Sequence, residues 1–514
     1  MLVFVLCTSI AAYVACNNTG NTGSANKEQL AAVNGSIDSF TSVMPSDIPN
    51  PADSLQAAAF AWNEFVALTW PAKPNSTPNM SGFYRGQPDN SSRHGATGSG
   101  GTVVWETFYH RAELYPGYYG IHTLPNPDTI PSYIYHASIT PANSATNRQL
   151  FNNLDETSEI SLAYMYYTPL LAKDNGAKAG IFYEAKGNNV IYNYLQQTGF
   201  NNLTKRKPAL NNAINLINNA PNVDTPIFSL PYGAAEIKAT WRHYDATADN
   251  LKDFHWTTGI YYTKGKNGFV ANNDTFLLLS LHIIQKTPNV PTFTFATFEH
   301  VGLEKTGFRF VNTNPRTDTA GLPRPLPDSG IIEAVRQYAL PAYINDYNSK
   351  AQAQLRAQFG SDNVWANYQL IGVQAVVQND PGGVVPPQQF FLSNFATETN
   401  NSLQFFQGGL AGPFNNVPNP DAAHVFVLDK NTKKYTAYTA GGCLGCHGSQ
   451  GQFQGGDFSV IAATGNFFTP DVPNPYPVNG TVTKQNPSGF PLPHMPAQLQ
   501  AKSDPHALPG KKSK

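Results

Sequence analysis

Apolar positions early in the chain recur at helical spacing. Leu55, Ala59, Trp62 and Val66 lie three or four residues apart between Asp53 and Pro71, which predicts a helix that packs a core. Asp53 is placed to cap it, and Gln56 three residues on completes a capping-box pattern. From Pro71 to Gly101 the chain is rich in Pro, Ser, Asn and Gly and reads as a long excursion before the apolar run Val103, Val104, Trp105. Between Ile227 and Val311 the pattern changes to that of strands. Ile237, Ala239 and Trp241 alternate with charged or hydroxyl residues from Glu236 to Arg242, as on a half-exposed strand. Phe276 to Ile284 is apolar on both faces, and Phe293 to Val301 follows a loop holding Pro288 and Pro291. These two runs are expected to form a central hairpin. Ile331, Ala334, Val335 and Tyr338 restore helical spacing until Pro341, and a further helix is expected to end near Gly360. Gly382-Gly383 with Pro386-Pro387 marks a loop, and no fixed-period repeat is present. The expected fold class is α+β, a large body with a prominent antiparallel sheet and peripheral helices.

The two ends differ from this body. Leu2 to Ala15 is an apolar stretch of 14 residues, short for a bilayer span but suited to a signal peptide. The polar run Asn17, Asn18, Thr19, Gly20 follows directly. The segment resembles a bacterial lipoprotein signal, with Val14-Ala15 before a Cys16 that is lipidated and opens the mature chain. Tyr13 stands where an aliphatic residue is usual, and no Lys or Arg precedes the run; an ordinary cleaved signal and a buried or artefactual N-terminus are the alternatives. From Thr464 to Lys514 ten prolines rule out a sustained helix or central strand. That tail is expected to be extended, wrapped on the body or loose.

Composition narrows the classes further. Of 514 residues 41% are hydrophobic, enough for a large core and against wholesale disorder. Lys and Arg number 33 against 34 Asp and Glu. A net charge of −1 without charge blocks offers nothing to a phosphate backbone, so nucleic acid is not an expected partner. The single long apolar run excludes a polytopic membrane protein.

One motif carries chemistry. Cys443-Leu444-Gly445-Cys446-His447 is CxxCH, the attachment pattern for a c-type haem. Two thiols at this spacing can each form a thioether with one vinyl group on the same porphyrin edge, and the adjacent imidazole falls beneath the iron as proximal ligand. A structural zinc site needs about four ligands, a thioredoxin-like dithiol needs a strand-to-helix junction, and a local disulfide would span only two intervening residues; these three alternatives stay open. The chain has 4 cysteines. If Cys7 leaves with a signal, Cys16 carries lipid, and Cys443 with Cys446 carries haem, none is unexplained. Covalent haem is assembled outside the cytoplasm, so motif and signal call for the same compartment, the periplasmic side of a bacterial membrane or the cell surface. The expected organisation is a signal peptide over 1–15, a tether over 16–50, an α+β body over 51–415, a haem-bearing region over 416–463 and a Pro-rich tail over 464–514.

Several segments ahead of the motif are distinctive: the run from Ala61 to Pro71 (AWNEFVALTWP), Val104-Trp105-Glu106-Thr107, the run from Glu236 to Trp241 (EIKATW), Leu281-His282-Ile283-Ile284, the run from Ala296 to Val301 (ATFEHV), and Leu392-Ser393-Asn394. In this order, followed by CxxCH, the chain resembles the large exported bacterial proteins called cytochrome c family proteins, over roughly Ala59 to Ile461. The resemblance implies one covalent haem c and export, and it names no reaction. Phe395-Ala396-Thr397-Glu398 departs from the Thr-Thr-Met-Glu of the family at that place.

Beyond the motif, His282 on one strand, Glu299 and His300 at the end of the next, and Glu236 with Lys238 on a third form a possible catalytic or propionate-binding group. The plainer reading is a hydrogen-bonded core histidine and solvated charges. For the sixth iron position the leading candidate is Met495, 48 residues after His447 in Pro493-His494-Met495-Pro496; His494, His300, His282 or an open site are the others. The chain therefore reads first as an exported one-electron carrier serving a redox partner protein or a small donor or acceptor, anchored to a membrane through lipid. A haem-dependent oxidoreductase and a surface ligand-binding lipoprotein are the alternatives.

Overall fold

The computed structural model describes most of residues 37–377, residues 394, 396 and 397, most of 424–439, and residues 442–464 and 469–472. The expected signal with Cys16, and His494 and Met495 in the tail, lie outside the described residues. In chain order, helix α1 (Ser54–Leu68) leads to paired strands β1 (Ala72–Pro74) and β2 (Phe83–Pro88), then β3 (Tyr109–His110), the single turn α2 (Arg111–Leu114), β4 (Ile139–Pro141), β5 (Asn153–Leu154), β6 (Ala163–Tyr167) and α3 (Thr168–Leu171). Next come β7 (Ile181–Gly187), α4 (Asn189–Thr198), α5 (Leu203–Ile217), β8 (Ala235–His243), β9 (Trp256–Gly265), β10 (Gly268–Gln285), β11 (Thr294–His300), β12 (Phe308–Asn312) and β13 (Ile331–Glu333). Helix α6 (Ala342–Phe359), β14 (Tyr368–Gln374), β15 (His424–Leu428), β16 (Tyr435–Thr439) and helices α7 (Gly442–Gln450) and α8 (Val460–Thr464) complete the sequence.

Among the described residues nine strands join into one sheet. Its spine runs β14-β11-β10-β8-β7-β3, every pair antiparallel, with β9 and β4 attached along the early half of the long β10 and β5 paired with β9. The fold is α+β, as the periodicity predicts. The predicted hairpin forms, β10 pairing with β11 from Ser280 opposite Glu299 to Gln285 opposite Thr294. One face of the sheet carries Ile237, Ala239, Trp241, Leu281, Ile283 and Phe298 into the main core, where α1 and α6 cover it. The Asp53 carboxylate caps α1 by accepting from the Leu55 and Gln56 amides, and the Gln56 side chain donates back to it at 3.2 Å. Helix α6 ends at Gly360, where φ is +111° and L-residues are disfavoured.

Four expectations need correcting. Leu55 is 48% exposed rather than packed; α1 is wedged between β14 and α6, and its alanines bring faces into contact that periodicity alone leaves polar. The excursion after Pro71 contains β1 and β2, paired with each other. Ile331 to Glu333 is a strand on β12, not the start of a helix, because adjacent β-branched residues favour extended backbone; Ala334, Val335 and Tyr338 lie outside the described residues. Strand β8 is covered on both faces, with Glu236 7% and Arg242 1% exposed. The described part of residues 416–463, the region expected to bear haem, shares one apolar cluster with the body, in which Val425, Cys443, Leu444 and Phe458 meet Ile284, Phe293 and Phe295. The start of the tail lies against the body, since the Asp471 amide donates to the Asp155 carbonyl at 2.8 Å. No helix among the described residues is long and apolar enough to cross a membrane.

Candidate functional site

Helix α7 begins with the motif itself. Gly445 and Gly448 each cost about 1 kcal/mol against helix formation, so packing rather than propensity holds it. Cys443 and Leu444 are buried in the cluster with Phe295 and Phe458, and the Leu444 amide donates to the Gln374 side chain on β14 at 3.0 Å. Cys443, Cys446 and His447 stand at i, i+3 and i+4 and so share one helix face. No disulfide joins the two cysteines.

His447 donates from Nδ1 to the Phe458 carbonyl at 2.8 Å. That bond assigns the proton to Nδ1 and the lone pair to Nε2, the tautomer a metal requires. Gly451 makes the approach possible, because a Cβ there would lie 2.7 Å from the His447 carbonyl and 2.9 Å from that of Phe458. Burial lowers the His447 pKa to about 3, neighbouring His282 adds to the shift, and the Phe458 bond opposes it. The imidazole is therefore neutral at physiological pH.

Beneath α7 lies the second face of the sheet. Directly opposed residues on adjacent strands share a face, and the register sets out three rows across β7, β8, β10, β11 and β14. The first is Gly187, Glu236, Ile284, Phe295, Gln374. The second is Ala185, Lys238, His282, Thr297, Gly372. The third is Tyr183, Thr240, Ser280, Glu299, Gln369. The first row meets the motif, with the Phe295 ring 4.9 Å from that of His447. In the second, His282 bonds through Nδ1 to Thr297 Oγ1 at 2.6 Å, and its ring centroid is 5.7 Å from that of His447. The third is covered by Asn394 and Thr397: the Thr240 hydroxyl donates to that of Thr397 at 3.2 Å, Ser280 bonds the same group, and Lys238 donates to the Thr397 carbonyl at 2.9 Å. Glu299 accepts from Gln369 and Asn394. Thr397 is thus absorbed into a hydroxyl cluster.

The structure brings His447, His282, Lys238, Glu236 and Glu299 to one face and leaves His300 out. One residue beyond Glu299, His300 points to the opposite side, where its ring stacks 3.9 Å from Phe254 and Nε2 donates to the Asp253 carbonyl at 3.0 Å. The strand alternation that delivers Glu299 removes it.

Sequence reasoning missed the turn Asp457-Phe458-Ser459. Asp457 adopts φ +58° and accepts from the Leu230 amide at 2.9 Å. Phe458 supplies the carbonyl to His447, and Ser459 donates to the Glu236 carboxyl while capping α8 through the Ala462 amide at 2.9 Å. Burial pushes the Glu236 pKa up to about 7, against the Ser459 bond and with the nearby Asp457 charge adding. The one sequence signal was Gly455-Gly456 before a cap-forming Ser; Gly455 sits at φ +82°, with no room for a Cβ beside the Leu210 carbonyl.

The donor set fits a haem iron better than zinc. Among the described residues no group of three or more His, Cys, Asp and Glu side chains is arranged to hold a metal ion, which a structural zinc site would need. A porphyrin brings its own four nitrogens and asks the protein for one or two ligands. No family model, curated protein or solved structure matches the chain, and the resemblance to cytochrome c family proteins rests on the segments quoted above.

Proposed function

We propose that the chain is an exported c-type cytochrome, with Cys443 and Cys446 as the thioether-forming residues and His447 Nε2 as the proximal ligand of one haem c. Bound there, the haem supplies a one-electron couple. The observation that carries the reading is the bond from His447 Nδ1 to the Phe458 carbonyl, on a helix whose shared face also bears both thiols. That bond fixes the imidazole orientation and its neutral tautomer, and Leu444, Phe295 and Phe458 keep water from the buried side of α7. The resemblance to cytochrome c family proteins supports the same reading.

Haem c is attached outside the cytoplasm, so this function requires export, for which Leu2 to Cys16 provides a signal. Lipidation at Cys16 places the protein on a membrane surface, within reach of a redox partner protein or a small donor or acceptor. Cys16→Ala then moves the protein from the detergent phase to the soluble fraction.

The decisive experiment expresses the chain with a cytochrome c maturation system and stains for haem after denaturing electrophoresis. Stain retained by the wild type and lost in Cys443→Ser with Cys446→Ser supports the proposal; a haem-free, unmodified mass defeats it and leaves the surface-binding reading. A second reading, a haem-dependent oxidoreductase, draws on the polar rows beneath the motif, where Glu299, Ser280 and Lys238 are held on rigid strands. It requires an iron open to small ligands and rapid cyanide binding by the oxidised protein.

A further inference from the structure

We infer that the chain closes an isopeptide cross-link on itself, from Lys186 Nζ to the side-chain carbonyl carbon of Asn152, with loss of ammonia. The inference does not depend on the haem reading. Alternation along β7 puts Glu184 and Lys186, paired with Ala239 and Ile237, on the face of the sheet opposite the CxxCH helix. There Lys186, Asn152, Glu106 and Glu184 are each at most 4% exposed. The nucleophile is Lys186, whose Nζ lies 3.0 Å from Asn152 Oδ1 and 3.3 Å from a Glu184 carboxylate oxygen. It also donates to the Glu106 and Phe151 main-chain carbonyls at 2.7 and 3.1 Å. The electrophile is the Asn152 carboxamide, just before β5. Its Nδ2, the nitrogen that leaves, donates to the Glu106 carboxylate at 2.8 Å and to Thr257 Oγ1 at 2.7 Å. Those two bonds turn Oδ1 toward Lys186, so the amine has only to move from Oδ1 to the adjoining carbon. The acids are themselves held: the Trp241 indole donates to Glu184 at 3.0 Å and the Val103 amide to Glu106 at 2.8 Å.

The protonation states suit the reaction. Burial lowers the Lys186 pKa against the pull of Glu184 and Glu106, and burial raises that of Glu184 against the pull of Lys186. The two effects bring amine and acid closer to exchanging a proton. In Glu106 burial is outweighed by His255, the Val103 amide and Lys186, so this carboxyl stays ionised. Lys186 passes one proton to Glu184, and the free amine attacks Asn152 Cγ. In the tetrahedral adduct Glu106 takes a proton from the attacking nitrogen and delivers it to Nδ2. The Cγ–Nδ2 bond breaks, and ammonia leaves as ammonium with the proton that Glu184 held, which regenerates both carboxylates. One amide replaces another and no oxidant is consumed. With the Trp105 ring centre 5.4 Å from Nζ and water excluded, the escape of ammonia makes the exchange one-way. The product ties β7 to the segment carrying β5 and restricts the unfolded chain as a disulfide would.

The test is mass spectrometry of the full-length folded protein after denaturation and digestion with trypsin. The wild type is expected to yield the peptides holding Asn152 and Lys186 as one joined species, lighter than their sum by one ammonia, with no cleavage after Lys186. Lys186→Met and Asn152→Ala abolish the joined species. Glu106→Gln, which keeps an acceptor for Asn152 but cannot relay the proton, is the folded control: its circular dichroism matches the wild type, and trypsin cleaves after Lys186. A folded wild type in which Lys186 is fully cleaved and both peptides carry their linear masses overturns the cross-link. A joined species undiminished in Glu106→Gln overturns the relay assigned to that residue. Haem stain read on the same samples reports the cytochrome assignment separately, so either can fail alone.

Discussion

Lys286 and Asp457 form an ion pair of 2.6 Å that ties the residue after β10 to the turn supporting the CxxCH helix. Their side chains are only 8% and 12% exposed, so removing one partner strands a nearly buried charge. Lys286→Met is expected to lower stability by about 3 kcal/mol, read from the urea midpoint. Asp457→Asn should cost less, because Asn tolerates the left-handed backbone and still accepts from the Leu230 amide. Equal midpoints for wild type and Lys286→Met would remove the pair from the list of stabilising contacts.

Gly451→Ala tests the contact between Phe458 and His447. The added methyl meets the carbonyls of both residues, and overpacking of this kind costs about 1–3 kcal/mol. Beyond the loss in stability, the Nδ1–H resonance of His447 in nitrogen-edited spectra should move as the Phe458 carbonyl is displaced. A resonance that stays in place means the backbone yields elsewhere.

Glu236 should hold a proton near neutral pH. Its folded pKa of about 7 lies above the ordinary 4.5, so between those values the native state binds a proton that the unfolded chain has released. Stability attributable to this group therefore falls as pH rises from 4.5 to about 7. Glu236→Gln flattens that fall and removes a protonated-carboxyl band from the infrared spectrum at pH 6; a band that survives the substitution belongs to another residue.

Glu64 is buried in α1, and neither carboxyl oxygen has a hydrogen-bond partner among the described residues. Burial alone raises its pKa well above the usual carboxylate range, giving a native state that again loses stability as pH climbs past 4.5. Glu64→Met, of similar volume, is expected to gain about 1–3 kcal/mol at neutral pH. Calorimetry at pH 5 and pH 8 should show the larger gain at the higher pH. A destabilised Glu64→Met would point to a polar partner for the acid.

What the sequence discloses here depends on how far apart the interacting residues lie. The CxxCH pattern is legible because it is local, held in five consecutive residues. The β10–β11 hairpin is legible because two apolar runs flank a proline-bearing loop. The middle row is not, since Lys238, His282 and Thr297 align only through strand register, which is shifted between Leu278 and Ser280 and again between Thr297 and Phe298. Strand β8 reads as half-exposed because its polar cover comes from Thr397 and Ser459, more than 150 residues later. The Phe458 carbonyl has no side-chain signature, since any residue could supply it; only Gly455-Gly456 and Ser459 mark the turn. Ile331 misleads for a different reason, since four apolar positions fit more than one period.

Cys443 is 1% exposed once α7 lies on the sheet, which turns the order of the chain into an order of events. Strands β7, β8, β10, β11 and β14 all precede the motif, so a chain appearing N-terminus first can complete the platform before the helix arrives. A thiol enclosed with Leu444 and Phe458 is out of reach of any enzyme. If Cys443 carries haem as proposed, attachment there and docking of α7 compete in time, and attachment has to come first. The glycines that weaken α7 as an isolated helix slow the competitor and lengthen the interval in which the thiol is accessible.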